Sequence, residues 1–205
     1  MIKAVLWDFG GVILTSPFEA FAEHERKAGL PEGFIRGVNA TNPHTNAWAQ
    51  LERQEISIDD FNLAFEAEAL ALGGAVSGAQ VLELLAGDIR PEMVSALHRI
   101  KDAGFAQACL TNNVATGVTR PEVEEIMSLF DVVIESSKLG IRKPEPRFYE
   151  LALEALEVDA DECVFLDDLG INLKPARAMG MTTIKVDTPA QALGELEVVL
   201  GLELR

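Results

Sequence analysis

Polar side chains that could bind a cation and an oxyanion follow three predicted strands of this sequence. Asp8 ends one apolar run, and Thr111 and Asn112 end a second. Asp167 and Asp168 end a third. The carboxyl ends of parallel strands meet at one edge of an open sheet, where such sheets bind ligands. Carboxylates suit a hard divalent cation, and hydroxyl and amide groups can hold phosphate oxygens, so these residues predict a common binding site.

One lysine belongs to the same predicted edge. Lys143 follows the strand predicted at 131–135 and lies within GIRKPEP, residues 140–146. Its ammonium would offset the negative charge of the acids and of a bound phosphate. Each of these residues alone has an ordinary explanation, as a helix cap, a turn or a solvated charge. Their occurrence together at one sheet edge favours a functional site.

The strands that carry these residues are predicted from short β-rich runs that alternate with helical patterns. The runs are Lys3–Asp8, Phe105–Thr111, Asp131–Glu135, Cys163–Asp167 and Thr182–Val186. Helices are predicted from Pro91 to Gly104, after Pro146, and at Pro175–Met179. The alternation predicts an α/β fold, a doubly wound parallel Rossmann-like sheet with helices on both faces.

Residues 17–86 interrupt this alternation. Apolar residues recur with helical spacing from Phe18 and again from Ile58, and the segment contains no convincing strand pattern. We therefore expect a sheet domain made of residues 1–16 and 87–205, with a helical subdomain inserted after the first strand.

Composition and charge exclude several classes of function. The 205 residues include 33 acidic and 17 basic ones, a formal net charge of −16, so the chain lacks the cationic surface that nucleic acids require. Cys109 and Cys163 lie in apolar runs and are expected to be buried thiols. The apolar N-terminus is too short to span a membrane and lacks the features of a secretion signal. We expect a cytoplasmic protein that binds neither nucleic acid nor membrane, and its amphipathic helices are compatible with any oligomeric state.

Four segments resemble, in the same order, the motifs of the haloacid dehalogenase-like (HAD) phosphohydrolase superfamily. They are DFGGV (8–12), LTNN (110–113), GIRKPEPRFY (140–149) and VFLDDLGINLKPARAMGMTTIKV (164–186). The last two are similar to the phosphatase-like N-terminal domain of soluble epoxide hydrolases. The segment ERQEIS (52–57) resembles the cap of related bacterial sugar-phosphate phosphatases. The resemblance implies that the inserted helices form a cap over a Rossmann-like core and that the chain is a magnesium-dependent phosphatase.

The resemblance also implies roles for the residues that would meet a small phosphorylated substrate. Asp8 would be the nucleophile that takes the phosphoryl group as an aspartyl phosphate. Thr111 and Asn112 would hold the phosphoryl oxygens. Lys143 would bridge the phosphate and Asp8 and offset their charges.

Magnesium would be held by the acids of the first and last motifs. The resemblance implies that Asp8 and Asp168 bind Mg²⁺ directly, together with the backbone carbonyl of Gly10. Asp167 would bind the ion through water or orient the site.

Gly10 departs from the pattern of most phosphatases of this superfamily, which have a second aspartate at that position. That aspartate protonates the leaving oxygen and then deprotonates the attacking water. A positioned general acid or base contributes about 10²- to 10⁴-fold in rate. Its loss should matter least for leaving groups that depart without a proton, such as acyl or activated aryl phosphates.

Three functions remain open on the sequence. The first is a magnesium-dependent phosphatase of narrowed scope, in which a cap residue such as Glu52, or a water molecule, replaces the missing acid. The second is a dehalogenase-type hydrolase, which also uses the first aspartate but needs no metal, and the adjacent acids Asp167 and Asp168 count against it. The third is a non-catalytic phosphate-binding or interaction protein that retains the fold.

Overall fold

The computed structural model describes residues 1–115 and 120–205. Within them, five parallel strands form a sheet in the order β3-β2-β1-β4-β5. The strands are β1 (Ala4–Trp7), β2 (Ala106–Thr111), β3 (Val132–Glu135), β4 (Cys163–Asp167) and β5 (Thr182–Lys185). All five predicted strands are present, and the doubly wound α/β fold is confirmed.

Helices follow the strands in two groups. The first group follows β1 directly and consists of α1 (Phe18–Ala28), α2 (Phe34–Ala40), α3 (Ala47–Glu52), α4 (Ile58–Ala71) and α5 (Gly78–Glu83). The helices of the sheet domain are α6 (Pro91–Asp102), α7 (Pro121–Met127), α8 (Ser136–Leu139), α9 (Pro146–Leu156), α10 (Gly170–Ala178) and α11 (Pro189–Leu200). A short 3₁₀ turn, Ala160–Glu162, precedes β4.

The central strand β1 is buried on both faces. Val5 and Trp7 belong to a core cluster with α6, α7 and α11, whereas Ala4 and Leu6 belong to a second cluster with α9 and α10. A parallel strand that is covered on both sides has no solvated face, which explains its continuous apolar run. The carboxyl end of β1 therefore opens in the middle of the sheet edge.

Helices α1–α5 pack around a core cluster of their own. The chain leaves the sheet domain and returns to it at one place, where Leu14 and Ile89 form an antiparallel bridge. Beside the bridge, the Thr15 N–H donates to the Asp88 carbonyl at 2.8 Å. We propose that these helices form a cap subdomain with the bounds expected from the sequence, residues 17–86.

One helix begins earlier than the sequence predicted. The helix expected at Pro175–Met179 is the second half of α10, which begins at Gly170 and contains Pro175 in its interior. Proline lacks one helical N–H, but its φ is compatible with a helix. In the first turn of α10, the N–H groups of Asn172 and Leu173 donate to the Leu169 carbonyl. These bonds link the acidic loop after β4 directly to the helix.

Two further expectations concern thiols and membranes. Cys109 and Cys163 are both buried and free, as expected. In the part of the chain that the structure describes, none of the helices combines the length and apolar character needed to cross a bilayer.

Tyr149 connects α9 to the helix that follows the acidic loop. The buried Tyr149 hydroxyl donates to the Asn172 carbonyl at 2.7 Å, and the ring packs edge-on against Phe165. Tyr149→Phe keeps the ring but removes this donor, so we expect a loss of about 1–3 kcal/mol in the free energy of unfolding. In urea denaturation the midpoint should fall while the slope stays unchanged, and an unchanged midpoint would contradict the inference.

Candidate active site

The sheet register brings two acids of the predicted site together. Ala4 pairs with Cys163 and Leu6 with Phe165 in the parallel β1–β4 ladder. Continuing the same register by two residues places Asp8 opposite Asp167. Because side chains alternate along a strand, both carboxylates project from the face shared with Leu6 and Phe165. The Asp8 N–H donates to the Leu166 carbonyl at 2.8 Å and continues the ladder beyond β1.

Lys143 lies between these two carboxylates. Its Nζ is 2.8 Å from Asp8 Oδ1 and 2.8 Å from Asp167 Oδ2. The Lys143 side chain is fully buried. A buried ammonium is tolerated only when it is paired and hydrogen-bonded, and here it bridges a residue after β1 to the last residue of β4.

Asn112 fixes the main chain that carries Lys143. Its carboxamide accepts from the Lys143 N–H at 2.8 Å and donates to the Lys143 carbonyl at 3.0 Å. Both polar ends of the side chain are thus used on the lysine backbone. Thr111 lies at the end of β2 and is buried, beside Asn112 at the same edge of the sheet.

Asp167 is held by more partners than Lys143 alone. Its carboxylate accepts from the Leu169 N–H at 2.8 Å and from the Asn172 carboxamide at 3.1 Å. The Asp167 side chain is fully buried. Its oxygens therefore orient the lysine and the acidic loop.

Asp168 faces the turn that follows Asp8. A Cβ atom at Gly11 would lie 2.3 Å from Asp168 Oδ2, and Gly11 has a φ of +81°. Both the close approach and the left-handed backbone favour glycine. The Ser16 hydroxyl is 3.5 Å from the same carboxylate oxygen, and the Arg90 guanidinium donates to the Gly11 carbonyl at 3.0 Å.

The electrostatics of the site are set by three carboxylates and one ammonium. Burial raises the pKa of Asp8 well above its ordinary range; Lys143 opposes this shift, and Asp167 and Asp168 add to it. Burial, followed by the charge of Asp167, raises the pKa of Asp168 to about 6. Burial alone would lower the pKa of Lys143, but Asp167 and Asp8 hold that pKa above its ordinary value. The excess negative charge favours a cation at the site.

The donor atoms fit a hard divalent ion. Asp8, Asp167 and Asp168 each offer a carboxylate oxygen, and these oxygens lie within 4.8 Å of one another. Oxygen ligands of this kind are those that Mg²⁺ prefers. A cation there would also relieve the burial cost that raises the carboxyl pKa values.

Gly10 leaves open space two residues after Asp8. A Cβ atom added at Gly10 would meet no heavy atom within 4 Å. Its backbone also lies outside the left-handed region. The preceding Phe9 N–H donates to Asp8 Oδ1 at 2.7 Å. The position could therefore hold an aspartate, and the absence of the second acid is a property of the sequence and not a steric requirement of the turn.

The predicted residues thus converge, with some additions that the sequence did not indicate. Asp8, Lys143 and Asp167 are in direct contact, and Asp168 and Gly10 border them. The two hydrogen bonds between the Asn112 carboxamide and the Lys143 backbone, here called the Asn112 clamp, were not predicted, because a carboxamide after a strand gives no sign of its partner. Ser16 was also missed, since serine in a turn-like segment is common.

Comparison with known proteins assigns the chain to a family of enzymes. Residues 2–180 match the family model described as haloacid dehalogenase-like hydrolase. Mouse bifunctional epoxide hydrolase 2 is 33% identical over 219 residues, which cover 98% of this chain and 39% of that protein. Mouse acyl-CoA dehydrogenase family member 10 is 34% identical over 207 residues, which cover 98% of this chain and 19% of that protein. The chain spans less than half the length of these two relatives.

A relative of matching length is named as a phosphatase. The sesquiterpene phosphatase astK of Aspergillus oryzae is 28% identical over 203 residues, which cover 97% of each chain.

Among solved structures, a variant of the HAD-family enzyme BT-2542 from Bacteroides thetaiotaomicron has the same fold, with a TM-score of 0.62 and 22% identity. The match covers 90% of this chain and 94% of that one, which was crystallised in complex with magnesium and inorganic phosphate. The family match confirms the family predicted from the sequence: the chain belongs to the haloacid dehalogenase-like hydrolase family.

Proposed function

We propose that the chain is a magnesium-dependent phosphatase that acts on a small phosphomonoester through an aspartyl phosphate on Asp8. The observation that carries the proposal is the buried contact of Lys143 with both Asp8 and Asp167, at 2.8 Å each. Asp168 completes the set of acids at the same sheet edge. The match to a sesquiterpene phosphatase over nearly the full length of both chains supports the same class of reaction.

Asp8, Asp168 and the Gly10 carbonyl are the groups that would hold the magnesium ion. When bound, Mg²⁺ would supply positive charge that offsets the negative charges of the carboxylate and of the phosphate. The Asp167 oxygens accept from Lys143, Leu169 and Asn172, so we assign Asp167 to orienting the lysine and the loop.

Phosphoryl transfer would form a bond between an Asp8 oxygen and phosphorus while the bond from phosphorus to the leaving oxygen breaks. Lys143 would reduce the repulsion between the two anions. The Thr111 hydroxyl and the Asn112 backbone N–H would hold phosphoryl oxygens, because the Asn112 carboxamide is engaged by Lys143. Water would then cleave the aspartyl phosphate and release inorganic phosphate.

The missing acid at Gly10 also favours a second candidate, a non-catalytic phosphate-binding protein. Such a protein would keep the lysine and the acids but not the proton transfer. The dehalogenase-type alternative is less well supported, because metal-free chemistry would leave Asp167 and Asp168 with one lysine to offset both acids and the nucleophile. Phosphate-release assays separate the phosphatase from the phosphate-binding protein.

Replacing the nucleophile tests catalysis itself. With an activated aryl phosphate and Mg²⁺, Asp8→Asn should lower kcat by on the order of 10³-fold or more, because an amide cannot form the aspartyl phosphate. The matched control is Asp161→Asn, an exposed aspartate away from the site, which should keep wild-type kcat. Equal background phosphate release by wild type and Asp8→Asn would instead support the phosphate-binding candidate.

Restoring the second acid tests the role of Gly10. Gly10→Asp should raise kcat on alkyl phosphates by about 10²- to 10⁴-fold, since these leaving groups need a proton. Activated aryl phosphates should change much less. Gly10→Asn has the same size without the titratable group and serves as the control. An equal gain with Gly10→Asn, or no gain with Gly10→Asp, would show that the missing acid at residue 10 does not limit kcat.

The acidic cluster predicts pH-dependent metal binding. The pKa of Asp168 is raised to about 6, so the group is ionised above that pH and binds a proton below it. The affinity for Mg²⁺, measured by titration calorimetry, should therefore fall as pH drops from 7.5 to 5, by about tenfold per unit below the pKa. Asp168→Asn should bind weakly at both pH values. Equal affinity of the wild type at both pH values would contradict a ligand role for this carboxylate.

A further inference from the structure

A buried ion pair joins the cap to the loop that carries the active-site lysine. Arg142 Nε is 2.5 Å from Glu52 Oε2, and the two side chains are 14% and 8% exposed. Glu52 is the last residue of α3 in the cap. Arg142 directly precedes Lys143 in the sheet domain. The contact therefore connects the cap to the residue next to the shared ammonium.

Glu52 is fixed within the cap by its other oxygen. The Trp48 indole N–H donates to Glu52 Oε1 at 2.8 Å. The Trp48 ring packs edge-on against Phe61, which belongs to the cap core. Because one carboxylate oxygen accepts from Trp48 and the other lies in ion-pair contact with Arg142, the geometry favours a positioning role for Glu52 over the acid role that the sequence left open.

Arg142 is held by the cap at a second point. Its Nη1 donates to the Pro43 carbonyl at 2.9 Å. On the other side of the same loop, Asn112 clamps the Lys143 backbone. The loop is therefore held on one side by contacts of Arg142 with the cap and on the other side by hydrogen bonds with Asn112 at the sheet edge. Lys143 lies between these two sets of contacts.

We propose that Arg142, anchored by Glu52, is a positioning residue that keeps the Lys143 ammonium between Asp8 and Asp167. The placement of the cap and the charge of the site are then coupled through one buried ion pair. The catalytic consequence rests on the proposed phosphatase function, whereas the effect on the Lys143 loop does not. Loss of either partner would leave an unpaired buried charge and release the loop on the cap side.

The kinetic test compares Arg142→Met and Glu52→Gln with Arg147→Met. The control Arg147 is close in sequence, half exposed and paired with Glu150 and Glu154. With an activated aryl phosphate and Mg²⁺, Arg142→Met should lower kcat by about 10²-fold with little change in KM, because misplacement of a charged group acts on the chemical step. Arg142→Lys keeps the charge and should recover part of that loss.

The double variant Glu52→Gln, Arg142→Met tests whether the two residues act as one link. It removes both charges of the ion pair at once and so avoids the unpaired buried charge that could unfold a single variant. Its kcat should be no lower than that of the slower single variant. Losses that multiply, a change confined to KM, or an equal loss in Arg147→Met would overturn the proposal.

Hydrogen exchange tests the loop without reference to activity. The Lys143 N–H donates to the Asn112 carboxamide, so its exchange reports opening of the clamp. We expect exchange at residues 140–143 to accelerate by roughly tenfold in Arg142→Met and in the double variant, and to stay at the wild-type rate in Arg147→Met. Unchanged exchange would overturn the positioning role, and accelerated exchange in a protein that releases no phosphate would reject the phosphatase function alone.

Discussion

The rest of the site depends on one buried ammonium that two carboxylates share. Lys143 is fully buried and contacts Asp8 and Asp167 at equal distances. Buried ammonium and carboxylate groups are costly unless they are paired, so the contacts among these three side chains stabilise all of them. The sheet register aligns the two acids on neighbouring strands, and the loop after α8 must then deliver the lysine to the point between them. Asp8, Lys143 and the acidic loop after β4 are consequently one physical unit.

This unit is still short of positive charge. Asp168 adds a third carboxylate beside a single ammonium, and the chain as a whole carries a formal charge of −16. An anionic substrate would meet repulsion both at a distance and in the site. Together with Lys143, the proposed magnesium ion and the backbone N–H groups at the strand ends would attract such a substrate locally.

Most of the fold and much of the candidate site could be predicted from the sequence, for identifiable physical reasons. Parallel strands covered on both faces produce apolar runs, and glycine and proline mark the ends of helices, so β1 to β5 were predictable. Strand ends also indicated Asp8, Asp167 and Asp168. The ion pair of Glu52 with Arg142 was not predictable, because the partners are 90 positions apart and a charged residue on a helix gives no sign of burial. The start of α10 was missed for a related reason, since Pro175 resembles a first-turn proline when viewed without its tertiary context.

The bridge between Leu14 and Ile89 has a consequence for how such a chain can diversify. The segments that lead into and out of the helical insertion are paired with each other at the border of the sheet domain. There the Arg90 N–H also donates to the Ile13 carbonyl at 2.9 Å. For the sheet, the whole insertion is equivalent to a single loop whose ends are fixed, and loop closure depends only weakly on loop length. Insertions of other sizes and shapes could occupy this place without altering the strand register that aligns Asp8 with Asp167. The shape of the insertion and the alignment of Asp8 with Asp167 are thus separable in the architecture, except where the contact of Glu52 with Arg142 connects the two.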